Sequence, residues 1–341
     1  MKPTDFSRYL SDYLTQYLPI ECGVSPNTIK TYSFTFTILL RFLKVEEGLT
    51  PDRLALKDIT KVRVIAFLDW LQAERNCSAS TRNARLATLH SFFKFIQYRD
   101  MKGMQVWQEI LSIRFKKSVS PEMAYLTTDA MQLLLNLPDI NSRNGRRDMA
   151  LLGLLYDSAA RVQELADLTP SDFRFEGITT ARLKGKGNKS RIVPLSENQV
   201  KNLTQYMEEY QLFEPHANIY PLFSNPHNGK LSRAAILGIV KRYAAMAQKI
   251  NPEMIPKGIG CHSFRHSKAM HMLEADINLI YIRDFLGHSS TTTTEVYARA
   301  SAQKKLEALQ KVNPSIVTNR KTSWQKDGEM LSWLKEMQSK Y

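Results

Sequence analysis

The chain is long and strongly basic: its 341 residues include 47 Lys and Arg against 33 Asp and Glu, a net charge of +14. The length favours two domains, and the charge favours a polyanionic partner without separating DNA, RNA and an anionic membrane surface. The sequence has no apolar run of about 18 residues, no signal peptide and no CxxC pair, so we expect a cytoplasmic protein without a membrane span, a disulfide framework or a zinc site.

The first third of the chain has the apolar spacing of amphipathic helices. Apolar residues recur at three- and four-residue steps over residues 28–43, 62–71 and 79–98. This spacing predicts a small helical bundle over residues 1–115.

Several basic residues near this bundle lie off the predicted apolar stripes. Most such charges belong to solvated helix faces, but the predicted helix start at Ser78 also offers hydroxyl and N–H groups that suit phosphate. A basic stretch without helical spacing follows over residues 116–125 and is predicted to be a linker that can cross a DNA backbone. The candidate DNA contacts are Lys30, Arg82, Arg85, Lys116 and Lys117.

Residues 126–313 are predicted to form a second, mainly helical domain that contains one small sheet. Helical spacing covers residues 127–137, 146–158, 197–210 and 234–249, and three short strands are predicted at 173–175, 178–183 and 191–195. The fold class is therefore mainly α with a small antiparallel β-sheet (α+β).

A glycine-rich turn, Gly185-Lys186-Gly187-Asn188-Lys189, joins the last two predicted strands. It lacks the order GxxxxGK[ST] and the following helix, so it does not support an NTPase. Lys186 lies between two glycines and can reach outward, although an ordinary solvated lysine is the simpler interpretation of this position alone. Arg161 is predicted at the junction of two apolar helices, where either Glu164 or a substrate phosphate can supply the anion that it needs.

The last third gathers residue types that can hold a phosphate and attack it, and none of them is a natural core residue. A helix that begins near residue 262 places positions three and four residues further on along the same face. Gly287 predicts the end of the next helix, and the serine and threonine run over residues 289–294 can cap another. The candidate site residues of this region are His262, Arg265, His266, His288 and Tyr297.

Together these motifs resemble those of the tyrosine recombinase (phage integrase) family, most closely its bacterial Xer-like and mobile-element members. The resemblance covers residues 25–310 and implies an N-terminal helical core-binding domain followed by a tyrosine-recombinase catalytic domain. The chain departs from the family at Ser158-Ala159-Ala160-Arg161, where the family commonly has Thr-Gly-x-Arg.

The resemblance implies a site-specific recombinase that cuts and rejoins DNA through a 3′-phosphotyrosyl intermediate. Tyr297 would be the nucleophile. Arg161 and Arg265 would clamp the scissile phosphate, and His288 would add a further donor to its oxygens.

The remaining site residues would move protons or support the others. Lys186 would protonate the departing 5′-hydroxyl, and His262 would accept the tyrosine proton. Glu164 and His266 are expected to support these groups. Because one phosphoester is exchanged for another of similar energy, the resemblance implies no cofactor and no metal.

The implied partner is double-stranded DNA with inverted half-sites, bound by a tetramer on two synapsed sites and compatible with accessory proteins. Two alternatives stay open. A type IB topoisomerase-like enzyme would share nearly the same residues and relax supercoils as a monomer, and a DNA-binding regulator would keep the fold without cutting.

Residues 314–341 lie beyond the residues that catalysis needs. Pro314 is predicted to end one helix, and large apolar residues then predict a short final helix. These residues are Trp324, Leu331, Trp333, Leu334 and Met337. Such a helix can fold back onto its own domain, but by the resemblance we expect it to dock in trans on a neighbouring protomer, with the tryptophans as anchors.

Overall fold

The computed structural model describes residues 3–118, 123–185, 189–225, 227–288, 294–297 and 330–340. The chain divides into two compact units, Met1–Pro121 and Glu122–Tyr341. The prediction of a mainly helical fold with a small antiparallel sheet is confirmed. Within the described ranges, no helix is both long enough and apolar enough to cross a membrane.

The first unit is helical throughout its regular structure. Ser25 and Ser78 start the second and fourth helices, because their side chains accept hydrogen bonds from the backbone N–H groups three residues further on. Tyr13 is fully buried among aromatic rings, and its hydroxyl donates to Ser91 Oγ at 2.7 Å. The helices are α1 (Asp5–Asp12, continued by a π-helical segment Tyr13–Glu21), α2 (Pro26–Glu47), α3 (Lys61–Ala73), α4 (Ala79–Gln97) and α5 (Met104–Leu111).

The second unit packs helices around a three-stranded sheet. Its main core is apolar and contains buried residues of α6, α7, α9 and α10 together with Ala181, Leu183 and Val193 of the sheet. The helices are α6 (Thr128–Leu135), α7 (Arg143–Asp157), α8 (Val162–Ala166), α9 (Glu197–Glu209), α10 (Arg233–Ile250), α11 (Cys261–Glu274), α12 (Leu279–Leu286) and α13 (Met330–Gln338).

The sheet is antiparallel and has the order β1 (Phe173–Arg174), β2 (Thr180–Lys184), β3 (Ser190–Pro194). Leu183 pairs with Arg191 and Ala181 pairs with Val193. These four positions therefore lie on the same side of the β2–β3 hairpin, and this side faces the core. The hairpin is closed by a hydrogen bond from Gly185 N to Lys189 O at 2.8 Å.

Two further features hold helices of the second unit together. Asp148 of α7 is fully buried and binds the guanidinium groups of Arg147 and Arg242 and the hydroxyl of Tyr243, so it ties α7 to α10. A second, smaller apolar cluster lies between α11 and α12. Its buried members are Ala159, Ala269, Met270, Leu273, Ile282, Leu286 and Tyr297.

Candidate active site

The site is organised around the C-terminal end of α12. The last carbonyl groups of a helix have no partner within the helix, and basic side chains suit them because they also meet the negative end of the helix dipole. Here three consecutive carbonyl groups accept from three different guanidinium groups. Phe285 O accepts from Arg191 Nε at 2.8 Å, Leu286 O accepts from Arg265 Nη2, and Gly287 O accepts from Arg161 Nη2 at a longer 3.5 Å.

Gly287 ends α12 in the left-handed conformation, with φ of 64°, as the sequence predicts. An L side chain is disfavoured at this φ, and a Cβ atom here would also lie 3.0 Å from Arg191 Cδ. The backbone N–H of His288 donates to Arg283 O at 3.0 Å and closes the turn. Both the backbone conformation and the close approach of Arg191 therefore require glycine.

Glu164 is a buried carboxylate shared by two arginines. Its Oε1 accepts from Arg161 Nη1 at 2.7 Å and Arg191 Nη1 at 3.0 Å, and its Oε2 accepts from Arg161 N at 2.8 Å and Arg191 Nη2 at 2.9 Å. Burial alone would raise the pKa of Glu164, but the hydrogen bonds and charge of Arg191, followed by those of Arg161, hold it below its usual range. Glu164 is thus the anionic partner of Arg161 within the protein.

Arg265 lies on α11 and is only 3% exposed. Its Nη1 donates to Ala159 O at 2.8 Å, so both of its terminal nitrogens bind backbone carbonyl groups. Burial, with the nearby charges of Arg161 and Arg191, lowers the pKa of Arg265 to about 10. The guanidinium therefore stays charged at neutral pH in a position fixed by the backbone.

Ala159 occupies the position where the resembling family commonly has glycine. It keeps the turn in the left-handed conformation, with φ of 47°, and is fully buried. A non-glycine residue at such a φ costs about 1–2 kcal/mol. The turn is nevertheless formed, because Ala159 O accepts a hydrogen bond from Arg265 and the Ala159 methyl group packs in the small apolar cluster.

Tyr297 lies against the histidines of the site and is only 3% exposed. Its hydroxyl lies 3.0 Å from His266 Nδ1, and its ring is parallel to the His288 ring at 6.4 Å between centroids. Burial raises the pKa of Tyr297, although the charges of Arg265 and Arg161 act in the opposite direction. The hydroxyl is thus held, protonated, beside a nitrogen that can accept its proton.

His266 and His288 are neutral at physiological pH. Burial, followed by the neighbouring His262 and Arg265, lowers the pKa of His266 to about 4. Burial and the charges of the three arginines lower the pKa of His288 to about 4. His288 Nδ1 lies 3.0 Å from Thr294 Oγ1, and this contact ties the end of α12 to residues 294–297, which are helical.

Two predicted site residues stand differently. His262 is exposed, and its ring stacks on that of His266 at 6.2 Å between centroids, so His266 rather than His262 contacts the tyrosine hydroxyl. Lys186 lies outside the described residues. The preceding Gly185 lies beside the site, because a Cβ atom there would be 3.3 Å from Glu164 Oε1 and 3.7 Å from Arg161 Nη1.

Arg191 is a site residue that the sequence interpretation misses. Its signal is the strand alternation: Arg191 and Val193 are two residues apart and point to the same face of β3, and Val193 is fully buried. A guanidinium on the core side of a strand needs a buried anion. That requirement could have linked Arg191 to Glu164.

Arg82 differs from the other candidate DNA contacts of the first unit. Its side chain is buried, with the residue 4% exposed, yet no described residue accepts a hydrogen bond from its Nε or Nη1. It lies on the first turns of α4, just beyond the cap at Ser78. A buried guanidinium without acceptors is costly, and an anionic partner would offset that cost.

The remaining four candidates are solvated or already bound within the first unit. Arg85 Nη1 donates to Thr35 Oγ1 at 3.0 Å, and Lys116 Nζ donates to Gln72 Oε1 at 2.6 Å. Lys30 and Lys117 are exposed.

The sequence comparisons agree on one family. The model of the phage integrase family matches residues 124–304, and that of the phage integrase N-terminal SAM-like domain matches residues 11–99. Tyrosine recombinase XerC of Syntrophus aciditrophicus is 30% identical over 308 residues, which are 88% of this chain and 95% of that protein. Tyrosine recombinase XerD of Listeria monocytogenes is 29% identical over 308 residues, 89% of this chain and 98% of that protein.

A solved structure shows the same fold. The crystal structure of the XerH site-specific recombinase bound to palindromic difH substrate covers 88% of this chain and 84% of its own, with a TM-score of 0.66 and 21% identity. The likeness extends over both compact units of the chain.

Proposed function

The chain belongs to the phage integrase family and is a site-specific tyrosine recombinase that cleaves and rejoins DNA, and from this premise we propose that Tyr297 is its nucleophile. The observation that carries the proposal is the hydroxyl of Tyr297, 3.0 Å from His266 Nδ1 and close enough to Arg265 and Arg161 for their charges to act on its pKa. In the reaction, the Tyr297 Oη–P bond forms, and the bond from phosphorus to the 5′-oxygen of the next nucleotide breaks. The 5′-hydroxyl of the partner DNA strand later attacks the phosphotyrosine and releases Tyr297.

Arg161 and Arg265 hold the scissile phosphate in this proposal. Arg161 is held by Glu164 and Arg265 by the carbonyl groups of Ala159 and Leu286, so they stabilise the charge that develops on the non-bridging oxygens without reorganising. Arg161 is the more accessible, with 35% of its side chain exposed, and no described residue accepts from its Nε. His288, held by Thr294, donates through its other nitrogen.

Three groups transfer protons in this proposal. His266 accepts the tyrosine proton first, and the exposed His262 on the same helix passes it to solvent. Lys186 protonates the departing 5′-oxygen, and the position of Gly185 beside Arg161 and Glu164 supports this role. Because the phosphoester energy is kept in the phosphotyrosine, we propose that neither a cofactor nor a metal takes part.

The test is a covalent adduct. The protein is incubated with fragmented genomic DNA of its source organism, and the DNA that stays attached after denaturation is sequenced to give the site. A nicked substrate built from that site should then trap the wild-type protein on a denaturing gel, whereas Tyr297→Phe should bind the same DNA and trap none. Adduct formation by Tyr297→Phe at the wild-type level would remove Tyr297 from this role.

In the first unit, we assign Arg82 to a DNA phosphate or base edge, with Lys30, Arg85, Lys116 and Lys117 as weaker candidates. Arg82 Nε and Nη1, from which no described residue accepts a hydrogen bond, support this assignment. Arg82→Met removes a buried, unpaired charge and should raise the thermal stability of the free protein. The same change should weaken half-site binding and reduce the salt slope by about 1. Arg53→Met, which removes an exposed arginine of the same unit that is not a candidate contact, is the control for loss of charge, and equal effects of both changes on binding would refute the assignment.

The proposed partner is double-stranded DNA with inverted half-sites, bound by four protomers on two synapsed sites in the cytoplasm. Accessory proteins are compatible with this arrangement. The named relatives are recombinases that match over most of the chain, so they do not favour a topoisomerase-like enzyme or a non-cutting regulator. We further propose a core-binding domain (1–115), a linker (116–125), a catalytic domain (126–313) and a tail (314–341).

We propose that the tail docks in trans. On α13, Leu334 and Met337 are 41% and 40% exposed and Trp333 is half-buried, which leaves apolar surface available for a neighbouring protomer. Pro314 and Trp324 lie outside the described residues. Deletion of residues 319–341 should spare binding to one half-site but weaken cooperative filling of the second, as measured by gel shift at fixed salt. Unchanged cooperativity would leave the tail as a cis packing element.

A further inference from the structure

Arg191 is held too completely by the protein to be a phosphate ligand. Its side chain is 11% exposed, and all three nitrogens donate: Nη1 and Nη2 bind the two oxygens of Glu164, and Nε binds Phe285 O. The fork therefore joins β3, α8 and the end of α12. Gly287 packs against its Cδ, so the turn that presents His288 rests directly on this side chain.

The hydrogen bonds to Glu164 show how Arg191 acts on Arg161. Arg161 makes two of the four hydrogen bonds to the carboxylate, one from its backbone N and one from Nη1. Arg191 makes the other two, one to each oxygen. Arg191 therefore fixes the orientation in which the ionised carboxylate meets Arg161.

We propose that Arg191 is a positioning residue for DNA cleavage: it orients Arg161 through Glu164 and fixes the end of α12 that presents His288. The inference deepens the proposed function and rests on it. Arg191 does not contact DNA in this scheme. Its loss should therefore slow cleavage while leaving half-site binding in place.

The Glu164 carboxylate provides a readout that a general loss of packing would not change. It is faced by Arg161 from the segment before α8, by Arg191 from β3 and by Arg265 from α11. Without Arg191, the pKa of Glu164 should rise, because burial still raises it and the largest contribution that lowers it is lost. Glu164 then takes up a proton at a higher pH than in the wild-type protein, and Arg161 loses its ionised partner as the pH falls.

The experiment compares Arg191→Gln, Arg191→Lys and Arg191→Gln with Glu164→Gln. Arg174→Gln, an exposed arginine of the same sheet, controls for the loss of charge. Half-site binding by gel shift and single-turnover adduct formation on the nicked substrate are measured from about pH 8 to about pH 5.5. The difference in thermal stability between Arg191→Gln and the double variant over the same range reports the ionisation of Glu164 without DNA, because the histidines contribute to both variants alike.

Arg191→Gln should form the adduct about 10²-fold more slowly at pH 8, since small misplacements of a catalytic group cost about this much. The deficit should deepen as the pH falls, and the double variant should lose this extra pH dependence. Arg191→Lys keeps the charge but not the fork and should lie between wild type and Arg191→Gln. Half-site binding by every variant should match that of the wild-type protein. Adduct formation by Arg174→Gln should match it as well.

A loss by the same factor at every pH, or an unchanged rate, would overturn the inference. If Arg191→Gln does not fold, Arg191→Lys decides, because a wild-type rate and pH profile in that variant would also overturn it. Absence of any wild-type adduct would instead count against the proposed function. In that case the pH dependence of stability still tests the link between Arg191 and Glu164.

Discussion

Substitution of Gly287 by alanine tests the packing at the centre of the site. The backbone contribution can be isolated with Gly177→Ala, because Gly177 has a similar φ of 69° and no atom within 4 Å of a new Cβ. A left-handed alanine costs about 1–2 kcal/mol, and the lower entropy of the unfolded chain returns about 0.4–1 kcal/mol. Gly177→Ala should therefore cost about 0.5–1 kcal/mol.

Gly287→Ala adds a steric term to this backbone cost. The new methyl group would lie 3.0 Å from Arg191 Cδ and 3.2 Å from its Nη1, and Arg191 cannot retreat without lengthening its bonds to Glu164 or Phe285. A hydrogen bond to a charged group is worth about 1.5–3 kcal/mol, so we expect a total loss of about 2–4 kcal/mol for Gly287→Ala.

The assay is thermal unfolding of both variants at one pH and salt concentration, together with adduct formation. For a unit of this size, 1 kcal/mol shifts Tm by about 2–4 °C, so the two variants should be clearly separated. Gly287→Ala should also slow adduct formation, whereas Gly177→Ala should not. Equal shifts in Tm for the two variants would show that Arg191 does not pack against the turn as described.

Three other outcomes are expected. A substrate with a 5′-bridging sulfur should restore cleavage by Lys186→Ala, because its thiolate leaves without a proton. The same substrate should not restore cleavage by Arg161→Ala, and equal rescue of both variants would remove Lys186 from the acid role. The pKa values of His266 and His288 are about 4 in the folded protein and about 6.5 in the unfolded chain. As the pH falls, the unfolded chain therefore binds protons before the folded protein does. Tm should fall as the pH drops from about 6.5 to about 4. Substitution of both histidines by Gln should flatten that dependence in thermal melts. Asp148→Asn leaves two guanidinium groups without their buried anion and should cost about 3–5 kcal/mol in urea unfolding, whereas a loss below about 1 kcal/mol would mean that the pair behaves as a surface contact.

Much of the fold follows from the sequence because the helices have strong local signals. The apolar spacing predicts α10 at 234–249, close to the observed Arg233–Ile250, and Gly287 marks the end of α12. Short strands are less well determined. The prediction for β2 begins at Ile178, but Ile178 is 77% exposed in the turn after Gly177, and the strand is Thr180–Lys184.

The site was predictable in its residue types and less so in its contacts. His266 and His262 lie four residues apart on one helix, and spacing alone does not determine which of them meets Tyr297. The residue type at Ala159 does not indicate its left-handed conformation, because alanine disfavours it and tertiary contacts hold it there; only the glycine that the resembling family commonly has at this position points to it. Arg191 lies in a five-residue strand, and its partner Glu164 is on another element.

The three guanidinium groups at the end of α12 bear on how proteins of this family would lose activity over evolutionary time. Buried carbonyl oxygens need donors whether or not a protein cuts DNA, so a descendant that only binds DNA would still be selected to keep Arg265. No comparable constraint protects the hydroxyl of Tyr297, whose ring could be replaced by Phe in the small apolar cluster. With Tyr297 as the proposed nucleophile, the tyrosine hydroxyl should therefore mark the capacity to cleave DNA better than the arginines do in a survey of related sequences.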